Sequence, residues 1–301
     1  MPADFIALSD YSAEELTALL DLAQDLKRRR ANGELHQPLI GKSIAMLFEK
    51  PSLRTRMTFE AGIFQLGGQA IFMTTKLGER ETVPDMARNL ERWVDCIVAR
   101  THSHEAVLEL AEYADIPVIN ALTDDLHPCQ VLADAQTILE HKGTLDGLKV
   151  AFVGDGNNMF ASWANLATRF SFDLTLVCPE GYELTGSAHE YAQSKALGTY
   201  EITNDAAAGV ANADVVYTDV WASMGMEEEY EKRLEKFMPY QVNEALMAKA
   251  KDDAIFMHCL PAHRGEEVTH EVIESSQSVV FDEAENRLHA QKAVMVHLIN
   301  S

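Results

Sequence analysis

Between residues 42 and 100 short apolar runs alternate with segments of helical spacing, and this rhythm constrains the fold more than any other feature of the chain. Residues 42–48 predict a strand, 57–66 a helix closed by Gly67-Gly68, 70–73 a strand, 83–93 a helix and 96–100 a strand. A polar loop, 76–82, joins the second strand to the second helix. Strands separated by a helix's length of chain pair in parallel as βαβ units. Ahead of them Ser9 opens a helix carried by Leu16, Leu19, Leu20, Ala23 and Leu26, which ends in a solvated charged run at 27–30. A second series begins near Gly147, with candidate strands at 148–153, 174–177, 215–217, 255–257 and 279–281. The expected class is α/β with two domains, each a central, mainly parallel sheet flanked by helices. At 301 residues the chain is long for a single core, which favours the same division. No linker rich in Pro, Gly or Ser separates the halves, so the hinge is placed in the helix over 129–141.

The first strand delivers the chain to Ser52-Leu53-Arg54-Thr55-Arg56, where two hydroxyls and two guanidiniums crowd a helix start. Unpaired N–H groups, the positive end of the helix dipole and arginine forks suit a phosphate. A plain helix cap at Ser52 is the alternative, but one cap needs neither two arginines nor a second hydroxyl. The net charge of -22 disfavours nucleic acid and anionic membranes as partners, so an anionic substrate needs a local basic site. Arg54, Arg56, Arg100 and Arg287 can supply one. In parallel sheets ligands lie beyond the carboxyl ends of strands, where Ser52, Arg100 and His127 fall. Four widely spaced cysteines imply neither a disulfide framework nor a zinc site, and no apolar run reaches membrane-spanning length. A cytoplasmic location is expected.

Four further segments carry polar groups at strand or helix ends. His127-Pro128-Cys129-Gln130 opens a helix with Pro at its first position. Gly154-Asp155-Gly156-Asn157-Asn158 follows a strand, but Met159 stands where a dinucleotide fingerprint needs its third glycine, and what the turn offers is the Asn158 amide. Asp219 to Gly225 suits an amino-acid head group, although a capped turn explains it equally well. His258-Cys259-Leu260-Pro261 ends the 255–257 strand, where a free cysteine is usually a small buried hydrophobe. Residues 282–287 precede the final helix, from which Arg287 could turn back toward the first domain.

Taken together and in this order, these segments resemble the aspartate/ornithine carbamoyltransferase family, and its ornithine-using members in particular, from about residue 5 to the C-terminus. The resemblance implies that residues 1–133, with a C-terminal helix 286–301 packing back on them, bind carbamoyl phosphate, and that residues 134–285 bind ornithine. Carbamoyl-phosphate contacts are implied for Ser52, Leu53, Arg54, Thr55, Arg56, Arg100, His127, Gln130, Cys259, Leu260 and Arg287, and ornithine contacts for Asn158, Asp219, Ser223 and Met224. Arg100, His127, Asp219 and Cys259 carry the catalytic roles, and the Leu260-Pro261 bond is expected to be cis. Leu53 departs from the family's common Thr, leaving only its backbone N–H. Lys76 or Arg80, in a loop that reaches a neighbouring subunit in the family, would act in trans within a homotrimer or a multiple of trimers. The implied reaction carbamoylates the δ-amine of L-ornithine, giving L-citrulline and phosphate in arginine biosynthesis or catabolism, with no cofactor or metal. A related amine such as an acylated ornithine is the alternative acceptor. An NAD-dependent dehydrogenase of Rossmann type is the more distant one.

Overall fold

The computed structural model describes residues 3–222 and 229–300, so Ser223 and Met224 lie outside the described residues. The chain divides into two compact units, residues 1–136 with 285–301, and residues 137–284. Both are α/β with wholly parallel sheets.

In the first unit β1 (Ser43–Phe48), β2 (Gln69–Thr74), β3 (Cys96–Arg100) and β4 (Val118–Leu122) lie in the order β2-β1-β3-β4. The helices are α1 (Ala13–Ala31), α2 (Leu53–Gln65), α3 (Val83–Leu90), α4 (His104–Tyr113) and α5 (Pro128–Lys142), the last continuing into the second unit. β1 and β3 are covered on both faces, which explains their unbroken apolar sequences. Ala45, Leu47, Ile97 and Ala99 pack with Val107 and Leu110 of α4. Each such leucine or valine, fully buried, contributes about 1.5–3 kcal/mol relative to exposure. Two helix starts differ from the sequence expectation. α1 begins after Ser12 rather than Ser9, because the Ser12 hydroxyl accepts from Glu15 N–H while the Glu15 carboxylate accepts from Ser12 N–H. α2 begins at Leu53 rather than Met57, since the Ser52 hydroxyl caps it by accepting from Thr55 N–H.

In the second unit β5 (Lys149–Val153), β6 (Asp173–Val177), β7 (Tyr200–Thr203), β8 (Val215–Thr218) and β9 (Ile255–His258) take the order β7-β6-β5-β8-β9. They are joined by α6 (Asn158–Ala167), α7 (Gly186–Lys195), α8 (Ala206–Val210), α9 (Tyr230–Phe237), α10 (Glu244–Met247) and α11 (His270–Ile273). Residues 279–281 are not a strand. Only Ser278 bridges to Phe256, and the chain then enters α12 (Val280–Ile299), whose first turn carries Asp282 and Glu283 where the helix dipole favours acids. α12 passes into the first unit, where the Lys292 stem lies against Gly62 and its ammonium reaches Gln65 of α2. Among the described residues no helix is long and apolar enough to cross a membrane.

Each sheet changes direction at one point, between β1 and β3 in the first unit and between β5 and β8 in the second. The loops leaving such neighbouring strands diverge and open a crevice. Gly156, in the loop after β5, is packed for a different reason from a dinucleotide-binding glycine. A Cβ there would stand 2.2 Å from Leu184 N and 2.6 Å from Glu183 C, so protein backbone occupies the space a pyrophosphate would need. Gly156→Ala is expected to destabilise the second unit by about 3 kcal/mol, the upper end of overpacking costs, read as a lower denaturant midpoint.

Candidate active site

In the first unit the switch point gathers buried basic and polar side chains. β1 leads to the Ser52 cap, β3 ends at Arg100, the loop after β4 carries His127 to the start of α5, and α12 supplies Arg287. Thr55, one turn into α2, is the meeting point. Its hydroxyl oxygen accepts from Arg287 Nη2 at 3.2 Å and from Arg100 Nη1 at 3.4 Å. Arg287 Nη1 also donates to Gln130 Oε1, and Gln130 Nε2 donates to Asp134 Oδ1 at 2.8 Å. Thr55, Arg100, His127, Gln130 and Arg287 are all buried. Two guanidiniums converging on one uncharged hydroxyl repel each other in a region of low dielectric, and an anion shared between them relieves that repulsion.

His127 is held neutral. Burial pushes its pKa well below the ordinary 6.5, and the positive charges of Arg287 and Arg100 push it further the same way. It can therefore donate one N–H to an oxygen without bringing a charge. The Ser52 oxygen accepts from Thr55 N–H, which leaves its own proton to give to a ligand, so the cap and a phosphate contact are compatible. Arg54 lies part-buried in the first turn of α2. Arg56 is directed elsewhere: its Nε donates to Glu60 at 2.9 Å and its guanidinium sits 3.7 Å from the Phe72 ring centre. Leu53, Lys76 and Arg80 are exposed. The loop after β2 is tied at its base, where the Glu49 carboxylate accepts from Leu77 N–H and His102 N–H.

The second unit builds a smaller cluster at its own switch point. Asp219, directly after β8, accepts from Asn157 Nδ2 at 3.0 Å through one oxygen, and from the Cys259 thiol at 3.0 Å and Val220 N–H at 2.7 Å through the other. Cys259 directly follows β9, the neighbour of β8, and is the one cysteine not buried. Burial pushes the Cys129 and Cys178 thiols up to about 12, which leaves them protonated. Leu260 adopts φ +56° and the Leu260-Pro261 bond is cis.

Asn158, named by the sequence for the acceptor, is the first residue of α6, whereas its neighbour Asn157 caps that helix and contacts Asp219. Two adjacent asparagines in a turn do not reveal which faces the ligand. Arg233 was also not singled out. It is buried and donates to the Trp221 carbonyl and to Asp155, although its charged surroundings in sequence suggest a solvated helix.

The family model for the carbamoyl-phosphate-binding domain of aspartate/ornithine carbamoyltransferases matches residues 3–140, and that for their aspartate/ornithine-binding domain matches residues 146–298. The chain is 52% identical to an ornithine carbamoyltransferase from Anoxybacillus flavithermus, over 98% of this chain and 96% of that protein. Among solved structures, the ornithine carbamoyltransferase from Pyrococcus furiosus superposes with a TM-score of 0.94 at 50% identity, covering 97% of this chain and 95% of that one. An acetylornithine transcarbamylase complexed with acetylcitrulline superposes at 0.87 with 34% identity, covering 98% of each chain. Two domain models in the right order and half-identical relatives matched end to end lead to one conclusion: the chain belongs to the aspartate/ornithine carbamoyltransferase family.

Proposed function

We propose that the protein transfers the carbamoyl group of carbamoyl phosphate to the δ-amine of L-ornithine, releasing L-citrulline and phosphate. The observation that carries this reading is the buried convergence of Arg100 and Arg287 on Thr55 beside a neutral His127, within the segment matched by the carbamoyl-phosphate-binding model. In the proposed mechanism Ser52, Arg54, Thr55 and Arg287 hold the phosphate, Gln130 orients Arg287, and Arg100 with His127 donates to the carbamoyl oxygen. That oxygen gains negative charge as the amine attacks. Preformed donors lower the barrier because they need no reorganisation at that moment. Asp219 and Cys259 face the acceptor with Asn157 or Asn158, and Ser223 and Met224 complete the amino-acid site. The lower identity to the acetylornithine enzyme supports ornithine over an acylated acceptor. Backbone packed over Gly156 speaks against a dinucleotide.

A homotrimer is proposed for the assembly, with Lys76 or Arg80 acting in a neighbouring copy. Leu53, Met57 and Phe64 lie on one outward face of α2, and the edge strand β2 adds exposed Ile71 and Met73, an apolar surface that a second copy would cover. Its location is proposed as cytoplasmic, in keeping with four free cysteines.

Incubation with carbamoyl phosphate and a panel of amines, with phosphate and carbamoylated product both measured, tests the reading. Ornithine should be the preferred acceptor by kcat/KM, and a panel with no turnover would refute it. The pH dependence follows from the amine and not from the enzyme's histidine. An alkylamine of pKa about 10.4 must lose its proton to attack, so kcat/KM for ornithine should rise about tenfold per pH unit between about pH 7 and 9. His127, held neutral throughout that range, should contribute no inflection near 6.5.

A further inference from the structure

We propose that His263, Glu266 and Glu267, in the segment between β9 and α11, form a binding site for a divalent transition-metal cation such as zinc or cobalt(II), ligated by His263 Nδ1 and one carboxylate oxygen of each glutamate. The site lies apart from the phosphate and acceptor clusters described above, and carbamoyl transfer does not depend on it.

The local sequence explains why the three side chains meet. Glu266 N–H donates to the His263 carbonyl at 2.9 Å, which closes a four-residue turn, and Gly265 N–H donates to the Val268 carbonyl at 2.8 Å on the way out. Gly265 stands at the third position of the turn with φ +94°, the sign a type II turn requires there. Such a turn sets its first and fourth residues side by side, and Glu267 follows directly. His263 Nδ1 stands 3.6 Å from Glu266 Oε2 and 3.9 Å from Glu267 Oε2, and one donor atom from each of the three residues falls within 4.8 Å of the others. Donors around a tetrahedral ion with bonds of about 2.0–2.2 Å lie about 3.4 Å apart, so small rotations of the exposed His263 and part-buried Glu266 side chains close the set.

Each carboxylate divides its two oxygens. Glu266 Oε1 accepts from the Tyr230 hydroxyl, and Glu267 Oε1 is engaged by the His258 ring at 3.0 Å and by His263 N–H at 2.6 Å. Bonds of this kind orient metal ligands from outside the coordination sphere. The strongest indication comes from the other oxygen of Glu267. The residue is completely buried, yet Oε2, the atom nearest the His263 ring, accepts no hydrogen bond. A buried carboxylate oxygen without a donor is costly, and a cation removes that cost. Among the described residues no lysine or arginine pairs with Glu266 or Glu267, and Arg264, inside the turn, donates instead to Glu274 at 2.6 Å. An imidazolium at His263 would balance one of the two carboxylates, whereas a divalent cation balances both. Three protein ligands beside an exposed histidine leave a fourth position open to water.

Titration of the full chain with cobalt(II) chloride, followed by visible absorption and by thermal unfolding, tests the proposal. The parent should take up one cobalt ion per chain at this site, and saturation should raise its Tm by at least about 3 °C, because the ion binds only the folded turn. His263→Ala and Glu266→Gln should each weaken binding at least about tenfold, the least that disturbing a ligand's surroundings costs. X-ray absorption of the cobalt-loaded parent should show nitrogen and oxygen neighbours that include an imidazole. Absence of saturable binding by the parent would overturn the proposal and reduce the cluster to an ion pair. Parental affinity in both variants would also overturn it, as would sulfur scattering, which would put the ion at a cysteine. Should a variant fail to fold, the donor set seen in the parent decides. None of these readouts requires citrulline formation, so failure of the functional reading would leave the test intact.

Discussion

Arg100→Ala is expected to lower kcat by about 10²–10³, the effect of removing one preorganised donor to a developing oxyanion. The arginine is the last residue of β3, buried, with one nitrogen already committed to Thr55. A ligand oxygen in this pocket therefore meets a guanidinium whose position is set before binding. Folding should survive the change, because the neighbouring Arg287 keeps its bonds to Thr55 and Gln130 and the strand's own apolar residues remain. Removing one of two like charges also relieves repulsion between the guanidiniums that meet at Thr55. Steady-state kinetics with saturating ornithine checks this. Parental kcat would remove Arg100 from the catalytic assignment.

Asp219→Asn should raise the KM for ornithine about tenfold to a hundredfold, with a much smaller change in KM for carbamoyl phosphate, since a lost hydrogen bond to a charged group costs about 1.5–3 kcal/mol. The carboxylate is fixed by three donors, Asn157 Nδ2, the Cys259 thiol and Val220 N–H. An asparagine can present its oxygen to only part of that set, and its amide brings a donor where a cationic amino group of the substrate needs an acceptor. Initial rates against each substrate in turn measure the split. Equal changes in both KM values would point to a general loss of structure.

Much of the architecture was legible because burial on both faces leaves a plain mark. β1, β3 and β5 read directly as apolar runs, and their alternation with helices required parallel sheets. β4 escaped notice because its centre is Asn120, a buried amide whose Nδ2 donates to the Ile6 carbonyl at 3.1 Å, which breaks the apolar run. β7 is a four-residue edge strand with an exposed glutamate, Tyr200-Glu201-Ile202-Thr203, too short to register. Residues 279–281 misled in the opposite sense, since two valines and a phenylalanine favour a strand by propensity while tertiary packing starts a helix at Val280.

The proposed phosphate site was legible as chemistry but not as geometry. Arg54 and Arg56 are two residues apart and read as one cluster, yet successive helical residues turn by about 100°, so the two point in widely different directions. Arg56 finds Glu60 one turn on, and the second buried guanidinium at Thr55 comes instead from Arg287, 232 residues away. No local pattern encodes a pairing at that distance. Family resemblance supplied it. The Glu267-His258 bond was hidden similarly, because a glutamate pair in a polar segment looks solvated until packing encloses one member.

The central claim is that the buried arginine pair binds carbamoyl phosphate, and calorimetric titration without ornithine tests it most directly. The parent protein should bind one carbamoyl phosphate per chain saturably. Arg287→Ala should weaken that binding at least about tenfold, the scale of a lost charge-assisted hydrogen bond. Equal affinity in parent and variant would contradict it.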